Sequence, residues 1–187
     1  TVFWEAYHQD RLWLATEINY TTWNIITANI PEAAEFIVNV LRKIQQLSSQ
    51  KFQNRISYKL KTNLQFPANF GLGSSSTLMN NLAEWSGTDP YQLNELCLGG
   101  SGYDIAVAHE KSAVLFTNNE GNKSIQKVEY KPPFSDQIIF IHLNKKQNSR
   151  AGISLYKSRQ KSPELISEFS DITQQIFETK SLATFSD

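Results

Sequence analysis

Strand-like and helix-like segments are interspersed along this chain, with several candidate hairpins, and that pattern is compatible with an α+β fold. Two kinds of segment carry the reading. Ile56 to Phe66 alternates apolar and polar residues as a half-buried strand does, whereas Phe36, Ile37, Val40, Leu41, Ile44 and Leu47 recur at helical spacing. A third observation bears on purpose. The alternating strand runs straight into Pro67-Ala68-Asn69-Phe70-Gly71-Leu72-Gly73-Ser74-Ser75-Ser76-Thr77, and then into Leu78 to Trp85, which has no Pro or Gly. A strand therefore feeds a small-residue loop that opens a helix. Free backbone N–H groups and the positive end of the helix dipole converge there, a place suited to phosphate.

The elements follow in order. Val2 to Tyr7 and Leu12 to Ile18 are rich in aromatic and β-branched residues, with His8-Gln9-Asp10-Arg11 able to turn between them, so a hairpin is expected. Trp23 to Ala28 reads as another strand. Pro31 suits the first turn of a helix whose apolar stripe faces the core. Strand Ile56–Phe66 and helix Ser74–Trp85 come next, the helix stopping at Gly87. Asp89-Pro90 starts a short helix, with Asp as N-cap. Gly99-Gly100-Ser101-Gly102 breaks it, and Tyr103 to His109 forms one or two turns. Ala113–Thr117 and Ser124–Tyr130 read as strands about a turn at Asn118–Asn122. Lys131-Pro132-Pro133 is the expected domain boundary. Gln137 to Leu143 is nearly continuous apolar, as a strand covered on both faces would be, with His142 a core histidine. Lys145 to Arg150 reads as a basic loop. Ser162-Pro163 caps a last helix expected to turn Leu165, Ile166, Phe169, Ile172 and Ile176 inward.

Bulk composition narrows the function. A chain of 187 residues makes one large domain, or one domain and part of another. Eighteen basic residues balance eighteen acidic ones, so no broad basic surface for nucleic acid is implied and no nucleic-acid partner is expected. No run approaches the roughly 20 apolar residues that span a bilayer, so no membrane association is expected. Cys97 is the single cysteine; no intramolecular disulfide can form, which fits a reducing compartment, and a cytoplasmic location is expected. The four tryptophans are expected to pack rather than stack on bases, because basic residues are not interleaved with them. The first residue is Thr1 rather than Met, and strand-like sequence follows at once, so a preceding segment is expected.

Two stretches can carry chemistry. In the first, Gly71 and Gly73 allow positive φ and close approach to a ligand, while Ser74, Ser75 and Ser76 offer hydroxyls and main-chain donors. A hydroxyl at a helix start can also ligate a magnesium ion that bridges phosphates. The same residues also serve as helix cap and turn, and both readings stay open. The loop is not a Walker motif, since no Lys follows Gly73. In the second, Asp104 follows Gly99-Gly100-Ser101-Gly102-Tyr103 and precedes Ile105-Ala106-Val107-Ala108. A carboxylate in apolar company has a raised pKa unless paired, and suits general-base work. Taken alone, Asp104 reads as a helix N-cap. The first stretch by itself points to a phosphoryl-transfer enzyme that holds ATP.

Together the two stretches resemble the GHMP kinases, a superfamily that includes galactokinase, homoserine kinase, mevalonate kinase and phosphomevalonate kinase. Pro67 to Ser76 is similar to the family's P-x-x-x-G-L-G-S-S-A phosphate motif, with Ser76 in place of the usual Ala. Ser101-Gly102-Tyr103-Asp104 is similar to the S-G-x-D segment of mevalonate kinase-like members, and Gly102 to Ala106 resembles the signature of the bacterial GYDIA-type kinases. The resemblance spans about Leu60 to Arg150.

It implies an ATP-binding domain like domain 2 of ribosomal protein S5 over residues 1–131, lacking its N-terminal part. The start of a ferredoxin-like domain would follow over residues 132–187. It implies ATP and Mg2+ as cofactors, with Pro67, Gly71, Leu72, Gly73, Ser74, Ser75 and Ser76 around the phosphates. Ser74 or Ser75 would reach the metal, with Glu95 as a further ligand or, equally, a solvated helix residue. Asp104 would face the acceptor hydroxyl of a small-molecule substrate, with mevalonate or phosphomevalonate as the expected class. Diphosphomevalonate decarboxylase, which shares the fold and an aspartate, is a related enzyme alternative. Arg150 or Lys146 would meet an anionic substrate or remain a solvated basic loop. A homodimer is compatible with the chain. The family's opening G-E-H/Y segment and closing glycine-rich motif do not occur in this sequence, so the alternative is a truncated, non-catalytic module of the same fold that binds nucleotide or a partner.

Overall fold

Alternation in the first twenty residues builds a sheet before any helix is made. In a computed structural model describing residues 1–53, 56–119, 122–144 and 149–187, β1 (Val2–His8) and β2 (Arg11–Asn19) form an antiparallel hairpin in which Val2 faces Ile18 and His8 faces Arg11. Gln9 and Asp10 both take positive φ, 49° and 63°, as a two-residue hairpin turn requires. The Asn63 amide donates to the Asp10 carboxylate at 2.6 Å and ties the hairpin tip to the next strand.

That strand is β4 (Tyr58–Leu64), which lies parallel to β1 from Val2↔Tyr58 to His8↔Leu64. With β3 (Asn24–Ala28) on the other side, the sheet order is β3-β2-β1-β4. A parallel neighbour needs a long crossover, and α1 (Pro31–Leu47) lies within it. Period two turns Val2, Trp4 and Ala6 of β1 and Leu14, Thr16 and Ile18 of β2 inward. They share one core with Ala34, Ile37, Val40, Leu41 and Ile44 of α1. Full burial of such an aliphatic side chain stabilises by about 1.5–3 kcal/mol.

Three further helices close the core. They are α2 (Ser74–Ser86), α3 (Pro90–Cys97) and α4 (Tyr103–Glu110), contributing Met79, Leu82 and Ala83, then Leu93, then Ile105. Helix α2 ends on Gly87 in the left-handed region, and Asp89 caps α3 by accepting from the Gln92 N–H at 2.7 Å. A separate hairpin of β5 (Ala113–Asn119) and β6 (Asn122–Val128) follows. Residues 120 and 121 of the expected turn lie outside the described residues. The chain is thus mixed α+β.

Beyond residue 134 the expectations need correction. Gln137 to Leu143 is not a strand and is not buried: a 3-10 turn at Ser135–Gln137 leads into irregular chain, and Phe140 is 95% exposed. An isolated strand has no ladder to satisfy its backbone, and among the described residues no sheet edge pairs with this one. His142 is consequently half-buried rather than a core residue. Ser149 and Arg150 belong to a helix, α5 (Ser149–Ser158), rather than to a loop. The last predicted helix forms as α6 (Pro163–Glu178), with Ser162 accepting from the Leu165 N–H at 3.2 Å. Its stripe is not inward: Leu165, Ile166, Phe169, Ile172 and Ile176 all stay exposed. A short α7 (Leu182–Ser186) completes the chain and packs Phe185 against buried Phe134. Trp4 is buried as expected, but Trp13 is exposed and stacks on His8 at 4.6 Å.

Candidate functional site

The loop between β4 and α2 is held open by two glycines. Gly71 and Gly73 both have φ of +72°. At Gly73 a Cβ would come within 2.9 Å of the Ser76 hydroxyl, so this position excludes a side chain twice over, by backbone conformation and by space. The Gly73 carbonyl collects three donors: the Ser76 hydroxyl at 2.8 Å, the Thr77 hydroxyl at 3.0 Å and the Thr77 N–H at 3.0 Å. These contacts fix the first turn of α2 through the Gly73 carbonyl and use, of its amides, that of Thr77. From Gly71 to Ser76 no N–H finds an acceptor among the described residues. The one amide of the approach that is used is that of Phe70, which donates to the Pro67 carbonyl at 3.0 Å.

The predicted loop residues thus divide. Ser76 is buried, and its hydroxyl is consumed by Gly73, so only its amide is available. Ser75 is exposed and Ser74 half-buried, and neither hydroxyl makes a hydrogen bond among the described residues. Leu72 is exposed, and Pro67 serves as the acceptor that shapes the bend.

The second stretch meets the first through a residue that the sequence reading passed over. Asn80, one turn along α2 from Ser76, donates from Nδ2 to the Ser76 carbonyl at 3.1 Å and to the Ile105 carbonyl at 3.2 Å. One side-chain amide therefore ties the first turn of α2 to the first turn of α4. Its Oδ1 is buried and has no hydrogen-bond partner among the described residues. The available signal was a polar residue set beside the buried positions Met79, Leu82 and Ala83.

Asp104 sits in that first turn of α4, but its surroundings differ from expectation. It is exposed rather than embedded, and it is not the N-cap, a position held by Gly102 at φ +88°. The apolar residues beside it in sequence, Ile105 and Ala106, turn into the core and leave the carboxylate on the outer side. Its Oδ1 accepts from the Ile105 N–H at 3.0 Å. Gly102 backs onto Tyr91 and Lys123, whose Nζ stands 5.5 Å from the Tyr91 ring centre. Burial, with Glu110 and Asp89 adding to it, pushes the Tyr91 hydroxyl above its ordinary pKa.

Glu95 is exposed on α3, next to the buried Asn94, and makes no hydrogen bond or ion pair among the described residues. Lys146 lies outside the described residues, as does the side chain of Arg150. His142 was expected elsewhere but borders the loop: its Nε2 lies 3.3 Å from the Asn69 carbonyl and its ring 4.6 Å from that of Phe70. Among the described residues no three carboxylate, histidine or cysteine groups converge on a metal-sized point. The donors at the loop instead suit magnesium held largely by phosphate oxygens and water, with one or two protein oxygens completing the shell.

No protein-family model, no curated protein and no solved structure matches this chain.

Proposed function

We propose that this chain is an ATP-dependent small-molecule kinase of the GHMP type, with an S5 domain 2-like unit over residues 1–131 and the beginning of a ferredoxin-like unit after it. One observation carries the reading: six consecutive amides, Gly71 to Ser76, stand without acceptors at the positive end of α2. The Asn80 link between α2 and α4 supports it, because it sets the segment bearing Asp104 beside the segment bearing the free amides.

In this reading the amides and the α2 dipole hold the β- and γ-phosphates of ATP. Ser75 offers its hydroxyl to magnesium, with Glu95 as the further candidate, and the ion would neutralise phosphate charge. Asp104 orients the acceptor alcohol or takes its proton as the alcohol oxygen bonds to the γ-phosphorus and the bond to ADP breaks. The acceptor is a small alcohol or phosphate ester, of the mevalonate or phosphomevalonate class.

The reading is tested by Asp104→Asn, which should lose about 10²–10⁴ in turnover while ATP affinity by calorimetry stays unchanged. An ATP-consumption screen against small alcohols and phosphomonoesters identifies the acceptor. Unchanged turnover in the variant would remove Asp104 from the mechanism.

The second reading, a nucleotide- or partner-binding module without catalysis, draws on the exposure of Asp104 and on the lack of contacts at Glu95. Magnesium-dependent ATP binding without consumption in the presence of any acceptor is its signature.

A further inference from the structure

The outer edge of the sheet and the helix beside it form a surface of particular symmetry. Strand β3 is an edge strand, Asn24-Ile25-Ile26-Thr27-Ala28, with no charged residue and no proline. Those are two of the devices that usually stop an edge from pairing with another chain. A third is present. Thr27 pairs with Glu17 and Ile25 with Ile18, so Ile26 is the extra residue of a bulge that interrupts the strand at its middle. A continuous ladder across this edge is thereby disfavoured, and contact there must be made by side chains.

Between β3 and α1 runs an open groove of about 580 Å³. Trp23, Ile25 and Val38 give it an apolar floor, with Glu35 and Arg42 at opposite ends of the helical wall. Trp23 is held in place by donating to Gln45 at 3.0 Å and by edge packing on Phe52. Glu35, Val38, Asn39 and Arg42 fall at i, i+3, i+4 and i+7, a single stripe along α1. Both charged residues are exposed, and neither makes an ion pair or hydrogen bond among the described residues.

Glu35 and Arg42 are equidistant from the step between Val38 and Asn39. Two α1 helices laid antiparallel across a two-fold axis through that step bring Glu35 of each copy to Arg42 of the other. The pairing is singled out by the spacing about a neutral centre, on the exposed wall of a groove. A patch complementary to itself under a two-fold rotation is the requirement for an isologous dimer.

We propose that the α1–β3 edge is a self-association face whose occupant is a second copy of this chain, seated with α1 antiparallel to α1 and Glu35 paired to Arg42 at both ends. The proposal is independent of the kinase reading.

Sedimentation equilibrium across a protein concentration series reads it directly. The wild-type chain should pass from monomer to dimer, and the transition should move to higher concentration as salt is raised. Glu35→Arg alone, or Arg42→Glu alone, places like charges together twice per dimer and should weaken association about tenfold or more. A 1:1 mixture of the two single variants, and the double variant E35R/R42E, should both restore it. All sites are exposed, so the far-UV spectrum and melting temperature should match wild type. Two results overturn the proposal: a wild-type chain that stays monomeric up to millimolar concentration, or a dimer indifferent to both reversals, which would assign association to another surface.

Discussion

Gly73 shows how much one residue can decide. Its left-handed backbone and the 2.9 Å approach to the Ser76 hydroxyl mean that a methyl group is resisted twice. Gly73→Ala should cost about 1–3 kcal/mol in urea unfolding, and on the proposed reading it should also weaken ATP binding, since the loop amides would be re-aimed. Cys97 offers a check independent of function. Burial pushes its thiol up to about 11, with nearby Lys43 pulling weakly the other way. Only the thiolate reacts, so alkylation at neutral pH should be slow and should accelerate as pH rises toward that value. Rapid labelling at pH 7 in the folded chain would contradict this environment. At this scale the sequence was a good guide to glycines, because positive φ has few other solutions. It was a poor guide to Asp104, whose apolar neighbours in sequence turn away from it on a helix.

Among elements, the caps are legible and the neighbours are not. Asp89-Pro90 and Ser162-Pro163 announce helix starts, and both side chains accept the expected N–H. Asp89→Ala should cost about 0.5–2 kcal/mol, measured by chemical denaturation. Asn80 carried no such signal, because its partners on α2 and α4 are carbonyls brought together only by tertiary packing. Asn80→Asp presents an acceptor to two acceptors. It should lower stability by about 1–3 kcal/mol and loosen α4 from α2, seen as faster amide exchange in Tyr103–Glu110. The expected strand at Gln137–Leu143 was misread for a related reason. A continuous apolar run says that a segment is suited to burial, and nothing in it says what would cover it.

For the molecule as a whole, the fully buried large apolar side chains all come from the first part of the chain. Before residue 110 they converge on one core: Trp4, Leu14, Ile44, Met79, Leu93 and Ile105 are all buried. After residue 137 apolar residues face outward, along Ile139 to Leu143 and down α6. Substitution should report this division. Ile44→Ala should lose about 2–5 kcal/mol, whereas Phe140→Asp and Phe169→Glu should leave the melting temperature unchanged and raise solubility. No described helix is long and apolar enough to cross a membrane. The α+β class and the first half of the fold were legible because alternation and helical periodicity there agree with what is buried. In the second half the same periodicities describe faces that nothing covers.

The parallel seam between β1 and β4 has a consequence for how the chain is born. β1 emerges from the ribosome well before β4, yet one flank of it pairs with residues 58–64. At about 5–20 residues per second, translation leaves that flank bare for several seconds after β1 appears. In the first part of that interval, until α1 has followed, the nascent hairpin carries Trp4 and Leu14 with no helix packed on them, which makes this the moment at which a chaperone would be most needed.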